Sequence, residues 1–407
     1  MEPSRGKSIC VPFDNEAHYA ACVADPERFR QHLTAVFGQH PELFPTRIDE
    51  GFVLHDKSWS LKQQLMLRRI ALKATAGVFL VRPSFLLPYM VGRTEAVEKA
   101  LYLRHWGVPF DALVYVFGRD AMYWYRAEMA LGRPAIVGST VKQPEQLPAH
   151  VLADEKHTWA LGHEVYVATT VGGGCILGAT VTDAASADAL EAAYGEFAEE
   201  ARELSPTYSP QTVCTDGWEG TQSAWRRLFP TVGIILCFLH SVLKIAERCG
   251  RDRARRQLVL DRGWAVEDAC TRAPCSQRRR RLRAWAPAGL PEGALRQMVR
   301  KRCGKGPQCA RAYRFPGAQR TSNALDRLMN HQDRRLYAMR SLHGTPEAAR
   351  LAVRAMALQW NFHPYGARTR RDDPTHRSPF HDLHGFESHP NWLHHLLIAA
   401  SMGGRKL

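Results

Sequence analysis

Between His150 and His240 the pattern of apolar and polar positions changes period repeatedly, and each change marks an element. The apolar start of HVLADEKHTW stops on Asp154. VYVATTV and CILGATV are β-branched runs joined by Gly172, Gly173 and Gly174, which predicts a hairpin. From Ala184 to Glu203 the apolar positions Leu190, Tyr194, Phe197 and Ala201 recur at helical spacing with acids between them. QTVCTD then reads as a strand delivering Asp216, an amphipathic helix follows from Gln222 to Leu228, and VGIILCFLH reads as a fifth strand.

The flanking sequence has weaker patterns. Glu16 to Phe37 is helix-like, and Trp59 to Lys73 alternates Leu, Met and Ile with Lys and Arg as a basic amphipathic helix would. Thr94 to Gly132 predicts three short helices with Gly118 before the last, a helix-turn-helix arrangement that puts Arg119, Tyr123 and Arg126 near an exposed face. A plain helical bundle with those aromatics in its core fits the same pattern. Residues 133 to 149 hold three prolines without periodicity and read as a linker. Beyond residue 320, Leu325, Leu328, Met329 and Leu336 share one helix face, with Asp326 in the first turn and Asp333 two turns on. A second amphipathic helix runs from Glu347 to Trp360, and the histidine-containing end from 366 to 407 reads as loosely packed.

This division gives residues 1–50 of unclear role and a helical, helix-turn-helix-like domain at 51–132. A linker at 133–149 follows, then a catalytic unit at 150–240 plus 321–365, interrupted by a helical insertion at 241–320 and followed by a tail at 366–407. A three-strand run, then helix, strand, helix, strand, is the order of an RNase H-like mixed five-stranded sheet. There the first and fourth strands lie side by side, so Asp154 and Asp216 would share a divalent cation. Carboxylate oxygens suit Mg²⁺, and a two-metal site stabilises both the attacking and the leaving oxygen of a phosphodiester exchange. Capping of the following turn is the alternative role for either acid alone.

Charge sharpens this picture. The formal net charge is +15 over 407 residues, and residues 241–320 hold 21 Lys and Arg against 6 Asp and Glu, an excess equal to that of the whole chain. That block contains RRRRLR, with Arg278, Arg279, Arg280 and Arg281, and favours a polyanionic partner such as double-stranded DNA. No apolar run reaches membrane-spanning length, and the first thirty residues carry acids without an apolar leader core, so a cytoplasmic, nucleoid-associated location is expected. The ten cysteines form no disulfide framework, and Cys270, Cys275, Cys303 and Cys309 lack the close spacing of a zinc site.

These residues, taken in order, resemble the DDE transposases of the Mutator-like kind and related bacterial insertion-sequence transposases. The resemblance spans roughly residues 150 to 365. It rests on Asp154, on Asp216 within TDGW, on the Cys237-x-x-His240 pair, on the helical insertion, and on Asp326 within TSNALD. It implies a metal-binding and catalytic triad of Asp154, Asp216 and Asp326, two Mg²⁺ ions with Mn²⁺ as substitute, and cleavage at transposon ends followed by strand transfer. It also implies terminal inverted repeats and target DNA as partners, and at least a homodimer on DNA. The family's third acid is usually Glu, and Asp326 is one methylene shorter; Asp333 stands in reserve. A nuclease that cuts without joining, or a transposase-derived DNA-binding protein without activity, would share most of these features.

Overall fold

The computed structural model describes residues 8–160, 162–321 and 323–405, with the side chains of residues 238–241, 323, 324, 326 and 327 outside that description. The chain opens with β1 (Ser8–Val11), α1 (Glu16–Ala24) and α2 (Pro26–Gln39). The helical segment is split because the Asp25 carboxylate accepts from the Glu27 and Arg28 N–H groups, and Pro26 takes the first helical position, where no N–H is needed.

Strands β2 (Phe52–Ser60), β3 (Leu65–Leu72) and β4 (Val78–Pro83) follow. They complete a four-stranded sheet ordered β1-β4-β3-β2, with β1 parallel to β4 and the other pairs antiparallel. The basic helix expected from Trp59 to Lys73 is therefore a hairpin, and the region 51–132 becomes helical only from Thr94. Leu65 and Leu72 are seven residues apart, as on a helix face, and Ile70 and Leu72 two apart, as on a strand face, but their charged neighbours have cross-strand and cross-layer partners. Arg69 pairs with Asp56 on β2, and Arg68 donates to the Val23 carbonyl at 3.1 Å.

Three helices do follow: α3 (Thr94–His105), α4 (Phe110–Phe117) and α5 (Ala121–Ala130), with Gly118 at φ 69 before α5. Helix α5 is tied into the core through Glu128, whose carboxylate takes the Arg104 Nε at 2.8 Å and pairs with Arg335; all three side chains are buried. Residues 133–149 are not a free linker. They contain α6 (Ile136–Thr140), with Ile136, Val137 and Val141 in the core. A Cβ on Gly138 would lie 1.8 Å from the Gly404 carbonyl oxygen, so the chain crosses here in close contact with the C-terminal segment.

The second sheet contains β5 (His150–Ala160), β6 (His163–Gly172), β7 (Cys175–Thr182), β8 (Thr212–Thr215) and β9 (Gly233–Leu236) in the order β7-β6-β5-β8-β9. β5, β8 and β9 are mutually parallel, while β6 runs antiparallel to β5 and β7. Helices α7 (Ala187–Leu204) and α8 (Glu219–Leu228) share a core with Val151, Ala153, Val213 and Leu236 on one face. The same core continues into the expected all-helical insertion: α9 (Phe238–Glu247), α10 (Arg253–Glu267), α11 (Arg272–Gly289), α12 (Ala294–Gly304) and α13 (Gly306–Cys309).

Helices α14 (Asn323–Met339) and α15 (Pro346–Phe362) join the opposite core, with Leu152, Cys214 and Ile235 from the second sheet. Leu325, Leu328, Met329 and Leu336 are buried as their spacing requires. The end of the chain forms α16 (Ala367–Asp372), α17 (Pro379–His384) and α18 (Trp392–Ala399). Every residue of α18 is buried, so the tail is core rather than a loose end. Its histidines interrupt the apolar run WLHHLLIA without opposing burial, because His394 has Ser84 Oγ at 3.0 Å and Glu95 Oε1 at 3.0 Å. Among the described residues no helix is long and apolar enough to cross a membrane.

Three buried histidines meet where α3, α14 and the end of α15 converge. The His105 ring stacks on His363 at 3.6 Å and lies 4.3 Å from His331. Burial pushes His331 down to about 3 and His363 to about 4 from an ordinary 6.5, and holds His105 lower still. Below pH ~6.5 the unfolded chain takes up protons that the folded rings refuse, so their contribution to stability falls as pH falls towards the folded values. His331→Phe keeps the ring packing and removes one titrating group. In urea unfolding between about pH 4.5 and 6 it should flatten the slope of stability against pH by about 1.4 kcal/mol per pH unit. An unchanged slope would rule out a neutral buried His331.

Candidate active site

Asp154 and Asp216 are brought together by strand pairing. The parallel register His150↔Thr212, Val151↔Val213 and Leu152↔Cys214 carries both chains forward to Asp154 and Asp216, two residues past the last pair. By strand alternation both acids fall on the face of Leu152 and Cys214, which α14 and α15 cover. Strand β5 does not end at Asp154, as its apolar pattern suggested. It runs on to Ala160, paired to β6 with Thr169 opposite Asp154 and bridged to Leu342 at its end. The acid therefore sits where the sheet narrows from five strands to three, β7-β6-β5, before the β5–β6 hairpin projects beyond His157.

Backbone donors orient both carboxylates. The Glu155 N–H donates to Asp154 Oδ1 at 3.0 Å, and the Trp218 N–H donates to Asp216 Oδ1 at 2.9 Å. Lys244 on α9 brings its Nζ to 3.7 Å from Asp216 Oδ2. Glu155 points to the other sheet face, as alternation requires, and accepts from Tyr194 Oη at 2.6 Å and Thr221 Oγ1 at 2.7 Å. Burial pushes Glu155 up to about 7; its two hydrogen bonds oppose the shift, and the charges of Asp154 and Asp216 add to it.

Helix α14 runs alongside β5. Gln332 Nε2 donates to Thr169 Oγ1 at 3.3 Å, Asp333 Oδ1 lies 2.5 Å from Lys156 Nζ, and the Leu342 N–H donates to the Trp159 carbonyl at 3.0 Å. Position 326 precedes 333 by two turns, roughly 10 Å along the axis, which is about three strand residues back from Lys156. The helix backbone thus carries position 326 to the level of Asp154, while the side chain of Asp326 lies outside the described residues. Asp333, the reserve acid, is engaged by Lys156. Glu219 and His157 are exposed, the first 3.5 Å from Arg226 and the second paired with Glu164. Among the described residues no three His, Cys, Asp or Glu side chains converge as a metal cage. Asp154 and Asp216 are the donors present, and their oxygen chemistry fits a hard divalent cation.

The fifth strand ends at Leu236, not at His240. Cys237 is the buried N-cap residue of α9, its N–H donates to the Thr215 carbonyl at 2.7 Å, and its own carbonyl accepts from Arg302. His240 falls in the first turn of α9, with its side chain outside the described residues. The Cys237 position thus links the end of the sheet to the insertion.

The basic residues divide by environment. Arg278 donates to the Ala265 carbonyl at 2.7 Å and Arg279 to the Cys303 carbonyl at 2.6 Å, so these two hold helices of the insertion together. Arg280 and Arg281 are exposed. Arg126 is exposed on α5, whereas Arg119 precedes that helix in a left-handed turn at φ 62, its guanidinium 5.4 Å from the Tyr123 ring centre. Sequence patterning did not single out Lys244, Lys156 or Thr221. Tyr194 was legible only as an apolar helix position, and no local signal tied it to Glu155. Searches of protein-family models and of curated proteins find no match to this chain.

Proposed function

We propose that this chain is a DNA transposase with an RNase H-like catalytic domain, in which Asp154 and Asp216 hold divalent metal and Asp326 on α14 supplies the third carboxylate. The observation that carries the reading is the strand order β7-β6-β5-β8-β9, with two acids each two residues past the last pair of adjacent parallel strands and α14 laid alongside. Bound Mg²⁺ or Mn²⁺ would polarise a phosphodiester and lower the pKa of water or of a sugar hydroxyl. The chain's own groups position the acids through the Glu155 and Trp218 N–H groups, and Lys244 supplies a cation beside Asp216. Exposed Arg280 and Arg281 on α11, and separately Arg119 and Arg126 at α5, would supply cations to duplex DNA, where phosphate contacts give affinity. Joining two ends requires at least a dimer on the DNA.

The test is incubation of the protein with DNA carrying the sequences that flank its own gene, in Mg²⁺ or Mn²⁺, with nicked and joined products resolved on gels. Cleavage with strand transfer is the expected result. Cleavage without joined products would identify a nuclease, and duplex binding with no cleavage under either metal would leave a DNA-binding protein.

A further inference from the structure

Beside the acid pair, the end of β5, α14 and the start of α4 line an open groove of about 1280 Å³, which shares Pro109, Asp333, Tyr337 and Ala338 with a second hollow of about 580 Å³ between α14 and the turn from α3 to α4. Pockets for small ligands run to roughly 300–1000 Å³ and bury most of what they hold; this one is larger and open along its length. Its aromatic residues are unusually bare. Tyr337 is 88% exposed, Trp159 54% and Trp106 43%, and all three line the same surface. Cations are interleaved with them. Arg340 lines the groove, the Arg334 guanidinium lies 5.7 Å from the Trp106 ring centre, and Lys156 is held in an ion pair by Asp333, which with Asp111 supplies the acids of the lining. The groove wall is also strained: Arg340 has φ 54 and Ser341 φ 106, conformations that non-glycine residues avoid unless the surroundings impose them.

We propose that this groove binds an unpaired nucleic-acid strand, with bases stacked on Trp159, Tyr337 and Trp106 and phosphates met by Arg334 and Arg340. Flat aromatic faces reach bases only where these are unstacked, and alternating aromatic and cationic side chains match the repeat of base and phosphate in a single strand. An acidic peptide would meet the cations but leave the aromatic faces without partners. Lys156 lies two residues beyond Asp154 on the same strand, so the groove begins where a strand would leave the acid pair. The inference rests on the transposase reading for that last point, but the stacking surface exists independently of catalysis.

The test is fluorescence anisotropy in EDTA with a labelled oligothymidylate of about twenty nucleotides, an abasic oligomer of equal charge, a duplex of the same length, and polyglutamate as competitor. The single strand should bind at least about tenfold more tightly than the abasic oligomer. Trp159→Ala and Tyr337→Ala should each weaken it about tenfold, while Tyr115→Ala, an exposed tyrosine away from the groove, should not. Thermal melts of these surface variants confirm that the fold is retained. Equal affinity for the abasic oligomer, unchanged affinity in both groove variants, or equal competition by polyglutamate would overturn the proposal. Single-strand binding by a protein that cuts no DNA would sustain the groove and remove the transposase reading. Cleavage and joining without single-strand binding would do the reverse.

Discussion

Asp154→Asn and Asp216→Asn should each reduce metal-dependent DNA cleavage by at least about a hundredfold, because each removes a charged oxygen ligand worth several kcal/mol of transition-state stabilisation. Asparagine still accepts the hydrogen bond from the Glu155 or Trp218 N–H, so the local backbone keeps its partners. In the metal-free protein the same substitutions relieve repulsion against Glu155, whose carboxyl the two charges help to push up to about 7. The fold should therefore persist without metal while activity is lost, and titration with Mn²⁺ should show weaker binding. Substitutions that lower stability in EDTA and leave cleavage intact would assign these acids to capping. Asp326→Asn tests the third position in the same assay, with Asp333→Asn as its comparison, since Asp333 already faces Lys156.

Glu128→Ala should cost about 3–5 kcal/mol of stability, the range found when one member of a buried ion network is removed. Arg104 and Arg335 would be left side by side in the core without their shared carboxylate, and Arg335 is fully buried. Burial already lowers the proton affinity of Arg335, and the neighbouring Arg104 lowers it further. Arg335 also donates to Gln359 Oε1 at 2.6 Å, so one deletion disturbs the junction of α3, α5, α14 and α15. Urea unfolding measures the loss. A companion variant with Glu128→Met, Arg104→Met and Arg335→Leu should recover much of it, because apolar groups of similar volume leave no buried charge. A loss below about 1 kcal/mol for Glu128→Ala would mean that water reaches the network and that the three-helix segment is less firmly attached.

That attachment shows how the two levels of information divide. Local patterning alone gave the number and order of strands and helices in the second sheet, though not the ends of β5 and β9. The β-branched runs on either side of Gly172 to Gly174, the helical spacing of Leu190, Tyr194, Phe197 and Ala201, and the apolar stripe of α14 have one period each and no competing partner. The basic helical insertion and the candidate acids Asp154 and Asp216 were legible for the same reason, as charge or acid standing at an abrupt change of pattern.

Tertiary structure decided the rest. Residues 65–72 satisfy the helix and strand periods alike, and only pairing with β2 and β4 selects the strand. The prolines around α6 and the histidines of α18 look like loop and tail in isolation, but both segments are buried because distant parts of the chain satisfy their polar groups. Arg278 and Arg279 cannot be told from Arg280 and Arg281 by composition; the packing of neighbouring helices turns the first pair inward to carbonyls. The adjacency of Asp154 and Asp216 belongs to the same class, since a parallel register between residues some sixty positions apart is a property of the folded sheet. Sequence determines each segment's preference from its near neighbours. Which preference prevails depends on surfaces that meet only on folding, where burial and long-range hydrogen bonds outweigh local periodicity.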